Sequence, residues 1–179
     1  MSEQPGRYQR SASGMVAAMV ILLLVIAGYV AFRAITRDNL ETPIPTVDYA
    51  PVLKQARADK VLLALAPSPM PRGWRATSVR YVAQGDPAWH LGMLTGSGQY
   101  VGIDEQQTSP ANLAQEFIGE DATPGPAEQI GGQVWISWSD PGGDFGLVRE
   151  AGRGSTKESI LIGGSGTPAE VRQLVRSVS

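Results

Sequence analysis

The sequence predicts an α+β fold: one antiparallel sheet of about six strands packed by helices on one face, preceded by a single membrane-spanning helix. Three observations carry that prediction. Met15 to Phe32 is an apolar run without one charged side chain. From Trp74 to Gly163, short β-favouring runs are separated by Gly- and Pro-rich turns and arrive as hairpins. Two helical segments, each opened by a capping residue followed by proline, interrupt and close that series. Strictly alternating strand–helix–strand units are missing, which disfavours a parallel sheet.

At a rise of about 1.5 Å per residue, the apolar run just crosses a hydrocarbon core of roughly 30 Å. A cleaved signal peptide has a shorter apolar core and a small-x-small site after it, but bulky Tyr29 stands where a small residue is wanted. The expected organisation is therefore a disordered cytoplasmic tail over 1–14, a transmembrane helix over 15–35, a linker over 36–47 carrying Pro43 and Pro45, and an extracytoplasmic domain over 48–179. Arg7 and Arg10 before the helix nearly balance Arg33 and Arg37 after it. The short tail is the side more easily kept in the cytoplasm, so the domain is expected outside.

Composition narrows the chemistry. Lys and Arg number 15 against 17 Asp and Glu, a net charge of −2, and the acidic excess persists beyond the apolar run. Nucleic-acid affinity rests on excess Lys and Arg, so no nucleic-acid partner is expected. Cysteine is absent, which excludes disulfides, thiol catalysis and Cys-ligated zinc or iron–sulfur clusters.

Asp48 is placed to cap a first helix, with Pro51 in its opening turn and Val52, Leu53 and Ala56 on one apolar face, ending near Asp59. Val61 to Ala66 is apolar on every side, and suits a last helical turn or a buried extended piece before Pro67, Pro69 and Pro71 stop any helix. Trp74 to Ala83 reads as a strand. Trp89 to Thr95 and Gln99 to Gln106 form a hairpin across Gly96-Ser97-Gly98. Ser109 caps a helix with Pro110 first and Leu113 and Phe117 at i, i+4 spacing, ending at Gly119. Glu120 to Gly132, acidic and rich in Gly and Pro, reads as a loop. Strands follow at 134–139, with Val134, Ile136 and Trp138 on one face, and at 145–151 and 159–163. The last helix carries the stripe Val171, Leu174, Val175, Val178 behind the capping box of Thr167 and Glu170, with Pro168 at its first position.

The segments Gly73-Trp74-Arg75-Ala76-Thr77-Ser78, Trp89-His90-Leu91-Gly92, Tyr100-Val101-Gly102 and Gly132-Gln133-Val134-Trp135, with the arginine-bearing tail and single apolar helix, form a recognisable pattern. Over nearly the whole chain it resembles an actinobacterial family of single-pass membrane proteins known as a domain of unknown function, DUF4245. The resemblance implies a membrane-anchored domain outside the cytoplasmic membrane. It brings no activity, ligand or catalytic residue.

The motifs that carry chemistry elsewhere are incomplete here. Gly163-Gly164-Ser165-Gly166-Thr167 joins a strand to a helix N-terminus, a place where backbone N–H groups hold phosphate. No Lys follows the glycines, and the dinucleotide fold needs further strands and an acidic residue about 20 positions on. Ser165 sits in a near miss of Gly-x-Ser-x-Gly, but the only histidine, His90, lies upstream of it. One histidine without cysteines does not make a typical zinc site, and Asp140 with Asp144 lacks EF-hand spacing. Asp104 and Glu105, adjacent on a strand, point to opposite faces. No cofactor and no metal are expected.

The aromatic residues are the remaining signal. Trp74, Trp89, Tyr100 and Trp135 fall in or beside strands, and most belong in the core. Any that line an open face, with His90, would form a groove for a peptide, lipid or glycan, and a ring of His90 on the open face would sense pH. The functional expectation is a binding or accessory module of the cell envelope, partnered by the bilayer through 15–35 and by an envelope protein, peptide, lipid or glycan. The alternatives are a carboxylate-based enzyme on an envelope substrate and a purely structural anchored domain.

Overall fold

The computed structural model describes residues 12–36, 44–153 and 156–178, and the chain divides into two compact units, Met1–Pro43 and Ile44–Ser179.

The first unit holds α1 (Ala12–Thr36), a 25-residue helix. Helix therefore reaches back over Ala12 to Gly14, which the sequence had placed in a disordered tail; the rest of that tail lies outside the described residues. The side chains of α1 are described over 14–30 and are exposed throughout, Leu24 to 67% and Ile26 to 50%. Among the described residues, no helix is long and apolar enough to cross a membrane. The expected span over 15–35 extends beyond the side chains described. Most of the expected linker, over 37–43, also lies outside the described residues.

The second unit is a seven-stranded antiparallel sheet with three helices. The strands are β1 (Arg75–Val82), β2 (Ala88–Leu94), β3 (Tyr100–Gln106), β4 (Thr123–Ile130), β5 (Gln133–Ser139), β6 (Phe145–Arg153) and β7 (Thr156–Gly164). Their spatial order is β1-β2-β3-β7-β6-β5-β4. Each half is a three-stranded meander or hairpin set, and β7 closes them into one sheet by pairing β3 on one side and β6 on the other.

Helices cover both faces, not one. α2 (Ala50–Asp59) and α4 (Pro168–Ser177) pack over the larger core, where Ala56, Leu91, Met93, Ile103, Leu147, Ile162 and Leu174 are all fully buried. α3 (Pro110–Phe117) packs on the opposite face, with Leu113, Ala114, Val148 and Leu161. The cause lies in the central strands: Leu147-Val148 and Ile160-Leu161-Ile162 are consecutive apolar residues, so both faces of β6 and β7 must be buried. Each fully buried Leu or Ile there contributes on the order of 2 kcal/mol.

The helix ends follow their local chemistry. Asp48 accepts from the Ala50 backbone N–H at 3.0 Å, although the position flanking the helix is Tyr49. Ser109 accepts from Asn112 N–H at 3.2 Å, and Thr167 with Glu170 forms the full capping box. Such caps contribute about 1 kcal/mol each.

Glu120 to Gly132 is not a loop: β4 occupies 123–130 of it. Pro124, Gly125 and Pro126 are tolerated because β4 is an edge strand, so its outer backbone groups need no partner. The register shift between Pro124 and Ala127 absorbs the prolines, and the Ser137 hydroxyl donates to the Pro126 carbonyl at 2.9 Å.

Val61 to Ala66 is largely buried, with Val61 and Leu63 partly so, and forms neither helix nor strand. It turns sharply after Lys60, and Ala64 has the left-handed φ of 52°. For a residue with a Cβ that conformation costs about 1 kcal/mol, so neighbouring contacts must hold it.

Candidate functional site

Two clusters of ionisable side chains flank the same strand, β3, on opposite faces. Antiparallel register builds the first. His90 of β2 lies directly opposite Arg80 of β1 and Asp104 of β3, while Ser78 and Gly102 both lie opposite Gly92. Directly paired residues share a face. The Ser78 side chain joins this face only because of a bulge between Ala76 and Ser78. Ala76 packs in the larger core, as do Val79 and Tyr81 beyond the bulge, and the extra residue turns Ser78 and Arg80 outward.

On that face the His90 ring bridges two partners. Its Nδ1 stands 2.7 Å from Asp104 Oδ1 and its Nε2 3.0 Å from Ser78 Oγ. Asp104 is 3% exposed, and burial pushes its carboxyl upward while the hydrogen bond from His90 pulls it back. When Asp104 is ionised it can only accept, which favours the tautomer with the proton on Nδ1 and leaves Nε2 to accept from Ser78. The Tyr100 hydroxyl reaches the same Nε2 at 3.4 Å. Its ring lies across two glycines: a Cβ on Gly92 would stand 2.9 Å from the Tyr100 hydroxyl and closer still to Ser78 Oγ, and one on Gly102 would stand 2.9 Å from that hydroxyl. Burial, and then the Asp104 charge, push the Tyr100 phenol up to about 12, so it remains a donor.

The second cluster sits under Val61 to Ala66. Glu105 is fully buried, and its two carboxylate oxygens accept from Ala64 N–H at 2.9 Å and Leu65 N–H at 2.6 Å. These bonds hold the left-handed Ala64. Glu158 accepts from Leu63 N–H at 3.3 Å. Burial is the main cause that pushes Glu105 up to about 7, with the Glu158 charge adding to it and the Leu65 and Ala64 amides opposing it. Arg149 compensates both carboxylates, and its guanidinium lies 5.1 Å from the ring centre of Trp135. Beside this cluster opens a cavity of about 520 Å³, lined among others by Arg57, Lys60, Leu63, Gln107 and Glu158. Arg57 also ties its Nε to the Ala64 carbonyl at 3.1 Å.

The five residues singled out from the sequence separate cleanly. Trp89 is core, with its indole N–H donating to the Leu65 carbonyl at 2.9 Å. Trp135 is also core, and Trp74 packs half-buried against the same cluster. None of the three lines an open groove with His90. His90 and Tyr100 do meet, on the opposite face, together with Ser78 and Asp104, which the sequence reading did not name as site residues. The Ser165 hydroxyl accepts from Tyr100 N–H at 3.1 Å and pins the start of β3. Asp140 accepts from Asp144 N–H at 2.7 Å and closes a hairpin turn. Among the described residues, no group of three His, Asp or Glu is placed to hold a metal ion.

No curated protein and no solved structure matches the chain. The family model described as a protein of unknown function, DUF4245, matches residues 7–178, and the chain belongs to that family.

Proposed function

We propose that this chain is a membrane-anchored binding module, held in the bilayer by the run around α1 with its N-terminus in the cytoplasm, whose outer domain takes a short peptide or glycan segment of the cell envelope. The observation that carries the binding reading is the cavity of about 520 Å³ beside Glu158, a size suited to a small ligand. Its lining mixes two cations, Arg57 and Lys60, with one carboxylate and the Gln107 amide. Such a surface favours a ligand carrying an acidic group next to hydroxyl or ammonium donors, and disfavours a lipid tail. The anchor rests on the uncharged run Met15–Phe32 and the exposed apolar side chains of α1.

A carboxylate-based enzyme is the weaker reading. General acid–base work needs free oxygens facing a substrate, whereas both oxygens of Glu105 are taken by backbone N–H groups. A thermal-shift screen of short peptides and oligosaccharides on the purified chain tests the proposal. A stabilising ligand whose effect disappears in Lys60→Glu supports it; no stabilising ligand, or one indifferent to Lys60→Glu, counts against it.

A further inference from the structure

We propose that Ser78, His90 and Asp104 form a nucleophilic acyl-transfer site on the face of β1–β3 opposite the larger core, acting on carboxylic esters of short acyl chains. This site is separate from the cavity, which lies beside the Glu105 and Glu158 cluster on the other face of β3.

Geometry supplies each role. Asp104, buried and 2.7 Å from Nδ1, fixes the ring and, as a carboxylate, favours the proton on that nitrogen. His90 Nε2, 3.0 Å from Ser78 Oγ, is within reach to take the hydroxyl proton. The His90 side chain keeps 20% exposure and Asp104 only 5%, so solvent reaches the ring and not the carboxylate behind it. This order of hydroxyl, imidazole and carboxylate is recognised by distance and role, independently of fold. The glycine at position 92 is a second, independent sign. The Ser78 and Tyr100 hydroxyls converge on the space that its Cβ would fill, within 2.9 Å for the tyrosine. A protonated phenol beside the nucleophile is a donor for the oxyanion that forms on the carbonyl. Arg80, His90 and Asp104 make the surroundings polar, which limits the acyl group to a short one.

The reaction balances without any co-reactant but water. Ser78 Oγ adds to the ester carbonyl carbon as its proton passes to His90 Nε2. The bond from carbonyl carbon to alcohol oxygen breaks, and that oxygen leaves with the proton from Nε2, giving an acyl ester on Ser78. Water then gives a proton to Nε2, adds to the acyl carbon and releases the carboxylic acid, and Ser78 regains its proton. Asp104 is a positioning residue that acts through the ring.

The test uses the full-length chain with a fluorophosphonate probe and with p-nitrophenyl acetate. The expected result is one phosphonyl adduct mapped to Ser78, absent in Ser78→Ala and formed about 100-fold more slowly in His90→Gln. A stoichiometric burst of p-nitrophenol from the wild-type chain should accompany it, with a rate that rises as a single group loses its proton. Because the wild type is read directly, a variant that fails to fold does not decide the matter. Folded wild-type chain that shows no adduct on Ser78 and no burst, or a labelling rate equal in folded His90→Gln, overturns the proposal and leaves the three residues as a hydrogen-bonded sheet contact.

Discussion

Asp104 and Glu105 are neighbours in sequence, lie on one strand and are both buried, yet they meet opposite kinds of partner. Glu105 faces the larger core and is held by two backbone N–H groups. Asp104 faces the other side and is held by a histidine ring that still touches solvent. The two partners put a buried carboxylate to two different uses. A charge taken out of water needs compensation. Backbone amides give that compensation by fixing the chain, so the group is structural. A titratable ring gives it by becoming oriented itself, and the orientation is available for chemistry.

Breaking the Glu105 side should have the largest effect. Glu105→Ala strips the Ala64 and Leu65 N–H groups of their acceptor inside the core and removes the grip on a left-handed alanine. Two unsatisfied buried donors and a cavity should cost about 3–5 kcal/mol of unfolding free energy, read by chemical denaturation. A loss below about 1 kcal/mol would show that water or repacking replaces the carboxylate.

The pH dependence of stability sharpens the same contrast. The folded-state Glu105 carboxyl is raised to about 7 from 4.5, so between these values the folded chain binds a proton that the unfolded chain has released. Stability contributed by that proton is fully present below 4.5 and falls as pH rises to about 7, by on the order of 3 kcal/mol at most. Asp104 and Glu158 are shifted in the same direction, also through burial. The Glu105→Gln variant should therefore flatten the slope across this window without abolishing it. An unchanged slope would move the effect to the other two carboxyls.

The smallest perturbation is on the opposite face. Gly92→Ala places a methyl where the Ser78 and Tyr100 hydroxyls converge, and displacing these side-chain ends should cost about 1–3 kcal/mol. The Tyr100 ring should move off the sheet, seen as a change in tyrosine fluorescence or in near-ultraviolet dichroism. A variant with unaltered signals would mean that the ring does not lie over the glycines.

Much of this contrast was legible in the sequence, and the unreadable part has physical causes. The turn Gly96-Ser97-Gly98 sets the β2–β3 register that puts His90 opposite Asp104, and alternation alone separates Asp104 from Glu105. The capping box at Thr167 and the proline-led helices are local chemistry and read directly. Ser78 was not legible, because a bulge in β1 reverses which side chains face outward and no residue type announces it. β4 was hidden by Pro124 and Pro126, which the edge of a sheet tolerates and its centre does not. Val61 to Ala66 declared its burial, but its shape is imposed by Glu105, about 40 residues further along the chain. The cavity beside it, built from the end of α2, residues 60–63, Gln107 after β3, Gly152 of β6 and Glu158 of β7, had no local signature at all.

Asp104 orients His90 toward Ser78, while Glu105 only holds the chain. Long-range nitrogen–proton correlation NMR of the single histidine tests it in the wild-type chain at neutral pH. The neutral form of the ring should carry its proton on Nδ1 and leave Nε2 bare, and this preference should be lost in Asp104→Asn but not in Glu105→Gln. A neutral ring carrying its proton on Nε2 would contradict it, because Ser78 would then face a donor and Asp104 would have nothing to accept.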